Sequence, residues 1–182
     1  MNEELQDALA NRAETYGVLA RCFAAELDGP AVAWFGGLES GGNENLASMV
    51  AFVQSGATAD EVVTALAVDY AHLFIVRSKD ETQAAYPTES VYASPEQTTV
   101  SDARDAVKAL YRASGLVVDG SALAEDHIAI ELSYMRLLAE RILARAQAND
   151  EEGYEAAVAA SLAFLSDHLG KWAPYFAGRV QK

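Results

Sequence analysis

The chain is expected to fold as an all-α domain, on three observations. Apolar residues recur at three- and four-residue spacing in every strongly periodic segment, no segment alternates convincingly with period two, and capping-box sequences open two of the periodic segments. Helix is therefore expected over at least two thirds of the chain, with no sheet. At 182 residues, 51% hydrophobic and 22% charged, the chain is long and apolar enough for one real core, so a single helical-bundle domain over 1–182 is the expectation.

The elements follow in order. Leu5, Leu9, Tyr16, Leu19, Phe23 and Leu27 place a first helix over residues 3 to 27, ended by Asp28-Gly29-Pro30. A short Trp-containing piece comes next. Leu46, Met49, Val50 and Val53 give a second amphipathic helix that stops at Ser55-Gly56. Thr58-Ala59-Asp60-Glu61 reads as a capping box, starting a helix that reaches about Phe74 with Val62, Leu66, Tyr70 and Leu73 on its inner face.

From 77 to 94 the periodicity disappears and the sequence is polar, so this is expected to be the one long loop and a hinge. A hinge there permits exchange of helices between copies, and hence a swapped homodimer. Ser94-Pro95-Glu96-Gln97 is the second capping box, and its helix should end at Gly115. Residues 121 to 147 form the next helix, with Ile128, Leu132, Met135, Leu138 and Ile142 on one stripe and Ile130, Tyr134 and Leu137 on another. Apolar on two sides, it should be central. Asn149 followed by Glu152 begins the last long helix, which is expected to run to about Leu169 and end at a Trp172-Ala173-Pro174 corner.

Charge narrows the partners. The formal net charge is −14, which repels phosphate backbones and anionic lipid and so argues against nucleic acid and stable membrane attachment. Up to Val76, eleven carboxylates face only Arg12 and Arg21. A solvated acidic face explains this as readily as a funnel for a basic ligand does. Cys22 stands alone between apolar neighbours, which suits a reducing compartment. No charged-then-apolar leader opens the sequence and no run approaches the roughly 18 to 20 apolar residues of a membrane span, so a cytoplasmic location is expected.

Enzyme chemistry lacks a constellation. Asp69-x-x-His72 is the only carboxylate-x-x-His pair, too little for a zinc or di-iron site, and neither a phosphate-binding loop nor a dinucleotide fingerprint occurs. No metal, no cofactor and no catalysis are expected. The cluster that most resembles a site is Asp126-His127 with Glu131: on a continuous helix His127 and Glu131 lie one turn apart, in reach of an ion pair, with Tyr134 on the adjoining turn. From the residues alone a purely structural role is the favoured reading, Asp126 capping a helix and His127 being oriented by a carboxylate. Glu89-Ser90 likewise reads as a turn held by side-chain to backbone bonds, and Trp172, Tyr175 and Phe176 as core packing.

Three segments, taken together, carry a resemblance: Pro87-Thr88-Glu89-Ser90-Val91-Tyr92; Asp126-His127-Ile128-Ala129-Ile130-Glu131-Leu132; and Phe164-x-x-x-His168-Leu169-x-x-Trp172-x-Pro174-x-Phe176, preceded by Tyr70-Ala71-His72-Leu73-Phe74. In this order they resemble the TorD/DmsD (NarJ-like) family of redox-enzyme maturation chaperones, from about residue 70 to 176. Thr88 departs from the family's usual Tyr, and Leu123-Ala124-Glu125 from its Glu-x-Pro. The resemblance implies a cytoplasmic, non-enzymatic chaperone with an all-helical TorD/DmsD-like fold. Its partner would be the precursor of a molybdopterin-dependent oxidoreductase, held by its twin-arginine signal peptide and/or by the surface of its apo form until the cofactor is inserted. The client-binding residues implied are Asp126, His127, Glu131, Glu89, Ser90, Tyr92, Tyr70 and Trp172.

The physics of such a partner agrees. Two adjacent arginines followed by an apolar run call for ionised carboxylates beside an apolar groove, which favours Asp126, Glu131 and Glu89 as acceptors. Two other classes stay open. A structural or assembly subunit of a redox complex would show a large apolar interface resistant to salt, and a small helical enzyme acting on a cationic substrate would turn over without a protein partner.

Overall fold

A computed structural model describes residues 3–40, 44–55, 58–75, 85–93, 102–118 and 122–181. Of these, 80% are helical and none lies in a strand. The described residues belong to two compact units, one built from 1–24 and 85–182 and the other from 25–84.

The second unit holds α2 (Gly29–Gly36), α3 (Glu44–Val53) and α4 (Ala59–Tyr70), the last running into a π-helical turn at Ala71–Ile75. α2 packs on α3 and α4, and its Val32 and Phe35 are buried with Val62 of α4. The capping box at Thr58 forms as the sequence predicts: the Glu61 N–H donates to the Thr58 hydroxyl and the Thr58 N–H to the Glu61 carboxylate.

The first unit holds α1 (Glu3–Ala24), α5 (Glu89–Ala93), α6 (Asp102–Ala113), α7 (Ile128–Gln147), α8 (Glu151–Phe164) and α9 (Gly170–Val180), with a π turn at Leu165–Leu169 between the last two. α7 is central, packed by α1 on one side and α8 on another. Its stripe of Ile128, Leu132, Met135, Leu138 and Ile142 is buried as expected. The second stripe divides: Tyr134 is buried, whereas Ile130 and Leu137 are half-buried along a groove.

Several boundaries differ from the sequence expectation, each for a local reason. α1 ends at Ala24 rather than near 27, because Asp28 turns its side chain to the Ala31 N–H and, with Pro30 in the first turn, opens α2. α7 starts at Ile128 rather than at 121, because residues 124–127 form a turn in which His127 becomes the N-cap. The last long helix is capped by Asp150, not Asn149; Asn149 takes the left-handed φ of 54° instead. The expected loop at 77–94 holds a helical turn, α5, at its C-terminal end, while 76–84 and the capping box at 94–97 lie outside the described residues.

The expected corner at Trp172-Ala173-Pro174 is also absent, since α9 runs straight through Pro174. The proline forfeits one i to i−4 bond, but Trp172 and Phe176 on either side of it are both buried on one face, and Phe176 meets the ring of Phe23 edge-on at 5.5 Å. Packing outweighs the lost bond. The irregularity sits one turn earlier, where the Gly170 N–H reaches back five residues to the Leu165 carbonyl. A Cβ at Gly170 would overlap that carbonyl oxygen, so the π turn requires glycine there.

Candidate functional site

The three sequence segments meet inside the first unit. Thr88 and His127 form an isolated antiparallel bridge, flanked by the Glu89 N–H donating to the Asp126 carbonyl (3.0 Å) and the Ile128 N–H donating to the Pro87 carbonyl (2.8 Å). This pairing sets the start of α5 against the start of α7. Asp126, 0% exposed, then caps α5 from outside: its Oδ2 accepts from the Ser90 N–H at 2.9 Å and from the Ser90 hydroxyl. Asp126 and Ser90 thus spend themselves on one another.

His127 is the N-cap of its own helix, its Nδ1 accepting from the Ala129 N–H at 3.1 Å. The ring proton therefore sits on Nε2. Burial lowers the imidazole pKa to about 4 against the pull of Asp126, so the ring is neutral near pH 7. The one-turn pair of His127 with Glu131 expected from the spacing does not form. The histidine faces its own backbone, and Glu131 turns across the interior to Trp172, whose Nε1 donates to Oε2 at 3.0 Å.

Glu89 completes the network from α5. His168, in the π turn, places Nδ1 at 3.0 and 3.2 Å from the two Glu89 oxygens, and its ring stacks on Phe164 at 5.2 Å. Tyr92, one turn along α5, stacks on Trp172 at 5.4 Å, with the Arg179 guanidinium over its ring. Glu89, Asp126 and Glu131 are all buried. Burial first, then the Glu89 charge, raises the Glu131 carboxyl to about 9, and the Trp172 bond only partly offsets this. The site thus holds Glu131 as a neutral acid near pH 7. Two buried carboxyl oxygens in it, Asp126 Oδ1 and Glu131 Oε1, have no hydrogen-bond partner.

An open groove of about 520 Å3 lies beside this network, with Leu116, Val117, Ile130 and Leu137 on its walls and Tyr111 and Tyr134 among its lining. The Tyr134 hydroxyl is held by the Ser114 hydroxyl at 2.7 Å and the Tyr111 hydroxyl donates to the Glu125 carbonyl at 3.1 Å. Tyr111 also feels the acids: its pKa is pushed well above the ordinary phenol range by burial and then by Glu131, Glu89 and Asp126. The two rings, 4.9 Å apart, are thus a wall shared by the groove and the acid cluster.

Of the residues singled out in the sequence, Asp126, His127, Glu131, Glu89, Ser90, Tyr92 and Trp172 stand together. Tyr70 belongs to the second unit, at the end of α4, with its ring 5.0 Å from that of Phe74. Sequence reasoning missed two contributors. His168 was visible in the closing motif, but nothing in its spacing pointed to Glu89, 79 positions away. Glu125, noted only as a departure, clamps the turn before α7 to α6: Lys108 at 2.9 Å and Arg104 at 2.5 Å lower its pKa to about 2.

The Ser90 hydroxyl donates to Asp126, the acceptor nitrogen of His127 is occupied by backbone, and burial pushes the Cys22 thiol up to about 11. Among the described residues, no group of His, Cys, Asp and Glu is placed to hold a metal ion, and no helix is long and apolar enough to cross a membrane.

Residues 36–178 match a family model described as the nitrate reductase delta subunit. No curated protein and no solved structure matches the chain.

Proposed function

Because the chain belongs to the nitrate reductase delta subunit family, the TorD-like chaperones of molybdoenzymes, we propose that it binds the twin-arginine signal peptide of a molybdopterin-dependent oxidoreductase precursor in the cytoplasm and holds that client during cofactor insertion. The observation that carries this reading is the acid cluster. Three buried carboxyls from two segments stand together, Glu89 on His168, Asp126 on Ser90 and Glu131 on Trp172, with one oxygen of Asp126 and one of Glu131 left without a hydrogen-bond partner. A guanidinium, always charged and rich in donors, is the complement of such a set.

The groove supports the other half of the peptide. Its apolar walls suit the run that follows the arginines, and the Tyr111–Tyr134 wall shared by groove and acids supports a peptide that lies across both. The acids are shut away in the closed form, so capture of arginine requires the segment 87–93 to lift from α7. Asp126, His127, Glu131, Glu89, Ser90, Tyr92 and Trp172 then act as the receptor and as its latch.

A binding titration with a synthetic twin-arginine peptide tests this. The affinity should fall in part with added salt, because the arginine contacts are screened while the apolar contacts persist. Absence of binding to both the peptide and the unprocessed client would refute the proposal.

A further inference from the structure

We propose that Glu131 carries a proton which the cluster cannot hold without, and that entry of a client guanidinium expels it, so that capture of the signal peptide is coupled to release of one proton. This inference rests on the twin-arginine reading above and adds to it how the site is switched.

The geometry fixes where the proton lies. Glu131 faces Glu89 from α5, Asp126 from the preceding turn and Tyr111 from α6; His168 lies behind Glu89, and beyond Trp172 the Arg179 guanidinium of α9 sits over the Tyr92 ring. His127 is neutral, its Nδ1 given to backbone, so the one imidazole available to balance three carboxyls is His168, and it is committed to Glu89. Glu131 is 0% exposed and its carboxyl receives one neutral donor, the Trp172 N–H, so a charge on it would be costly to bury beside a second acid. Glu131 Oε2 accepts from Trp172, whereas the buried Oε1 has no hydrogen-bond partner, so nothing there compensates a negative charge.

A guanidinium changes the balance. Once the segment 87–93 lifts, a positive charge beside Glu89 and Glu131 favours two carboxylates, the Glu131 O–H bond breaks, and the proton leaves for solvent while the arginine stays protonated. Asp126 Oδ1, buried and unpaired in the closed form, gains a donor at the same time.

Calorimetric titration of the full chain in buffers of differing ionisation enthalpy counts the proton. With a twin-arginine peptide the parent should release about one proton per peptide, and below the Glu131 pKa its affinity should rise up to about tenfold per pH unit. A peptide with both arginines changed to glutamine should bind more weakly and release none. Glu131→Gln should release none with either peptide; if that variant fails to fold, the arginine-to-glutamine peptide still separates the outcomes. Tight binding of the twin-arginine peptide with no proton released would overturn the coupling and leave the chaperone reading standing. No binding at any pH would remove both.

Discussion

Replacing Glu131 by glutamine turns the buried acid into a measurable pH dependence of stability. The Glu131 carboxyl goes from its ordinary value of 4.5 to about 9 in the folded chain, so between those values the folded protein keeps a proton that the unfolded chain has lost. Stability from this group is therefore complete below pH 4.5 and declines as pH rises toward 9, at up to about 1.4 kcal/mol per pH unit. His127 works in the opposite sense. Its pKa falls from 6.5 to about 4, so it subtracts stability as pH drops through that window and cancels the Glu131 slope between about 4.5 and 6.5. The clean region is 6.5 to 9.

Glutamine keeps the shape and the acceptor for Trp172 but cannot titrate. In urea unfolding at several pH values, the stability difference between Glu131→Gln and the parent should shift in favour of the variant by about 3 kcal/mol over two pH units in that region, with the His127 contribution cancelling in the comparison. Parallel curves for the two proteins would refute the argument, since they would mean that Glu131 is ionised inside the fold.

Three other outcomes are expected. Asp126→Ala removes both acceptor contacts to Ser90 at the start of α5 and should cost about 2 to 3 kcal/mol, with amide exchange rising first at Ser90 and Val91; a loss under about 0.5 kcal/mol would show that the cap is idle. Trp172→Phe leaves the Glu131 acid without its donor while keeping an aromatic against Tyr92, and should cost about 1 to 3 kcal/mol by urea denaturation. Gly170→Ala sets a methyl against the Leu165 carbonyl, so the melting temperature should fall by several degrees, as expected for a loss of about 1 to 3 kcal/mol; an unchanged midpoint would mean that the π turn relaxes to ordinary helix at no cost.

The sequence by itself determined the helices and the segments from which the site is built, because both are written in local spacing. The 3.6 period of Ile128, Leu132, Met135, Leu138 and Ile142 marks the central helix wherever the rest of the chain lies, and Thr58 and Glu61 cap one another within four residues. What local spacing leaves open is which partner a side chain turns to. His127 and Glu131, four apart, looked like a pair; one is held by its own backbone and the other by a tryptophan 41 positions on. Asp126 caps a helix at Ser90, 36 positions before it, and Pro174 stays helical because Trp172 and Phe176 are buried beside it. These outcomes depend on long-range burial, where a desolvated polar group must find whatever partner the packing brings near, and only the tertiary structure decides that.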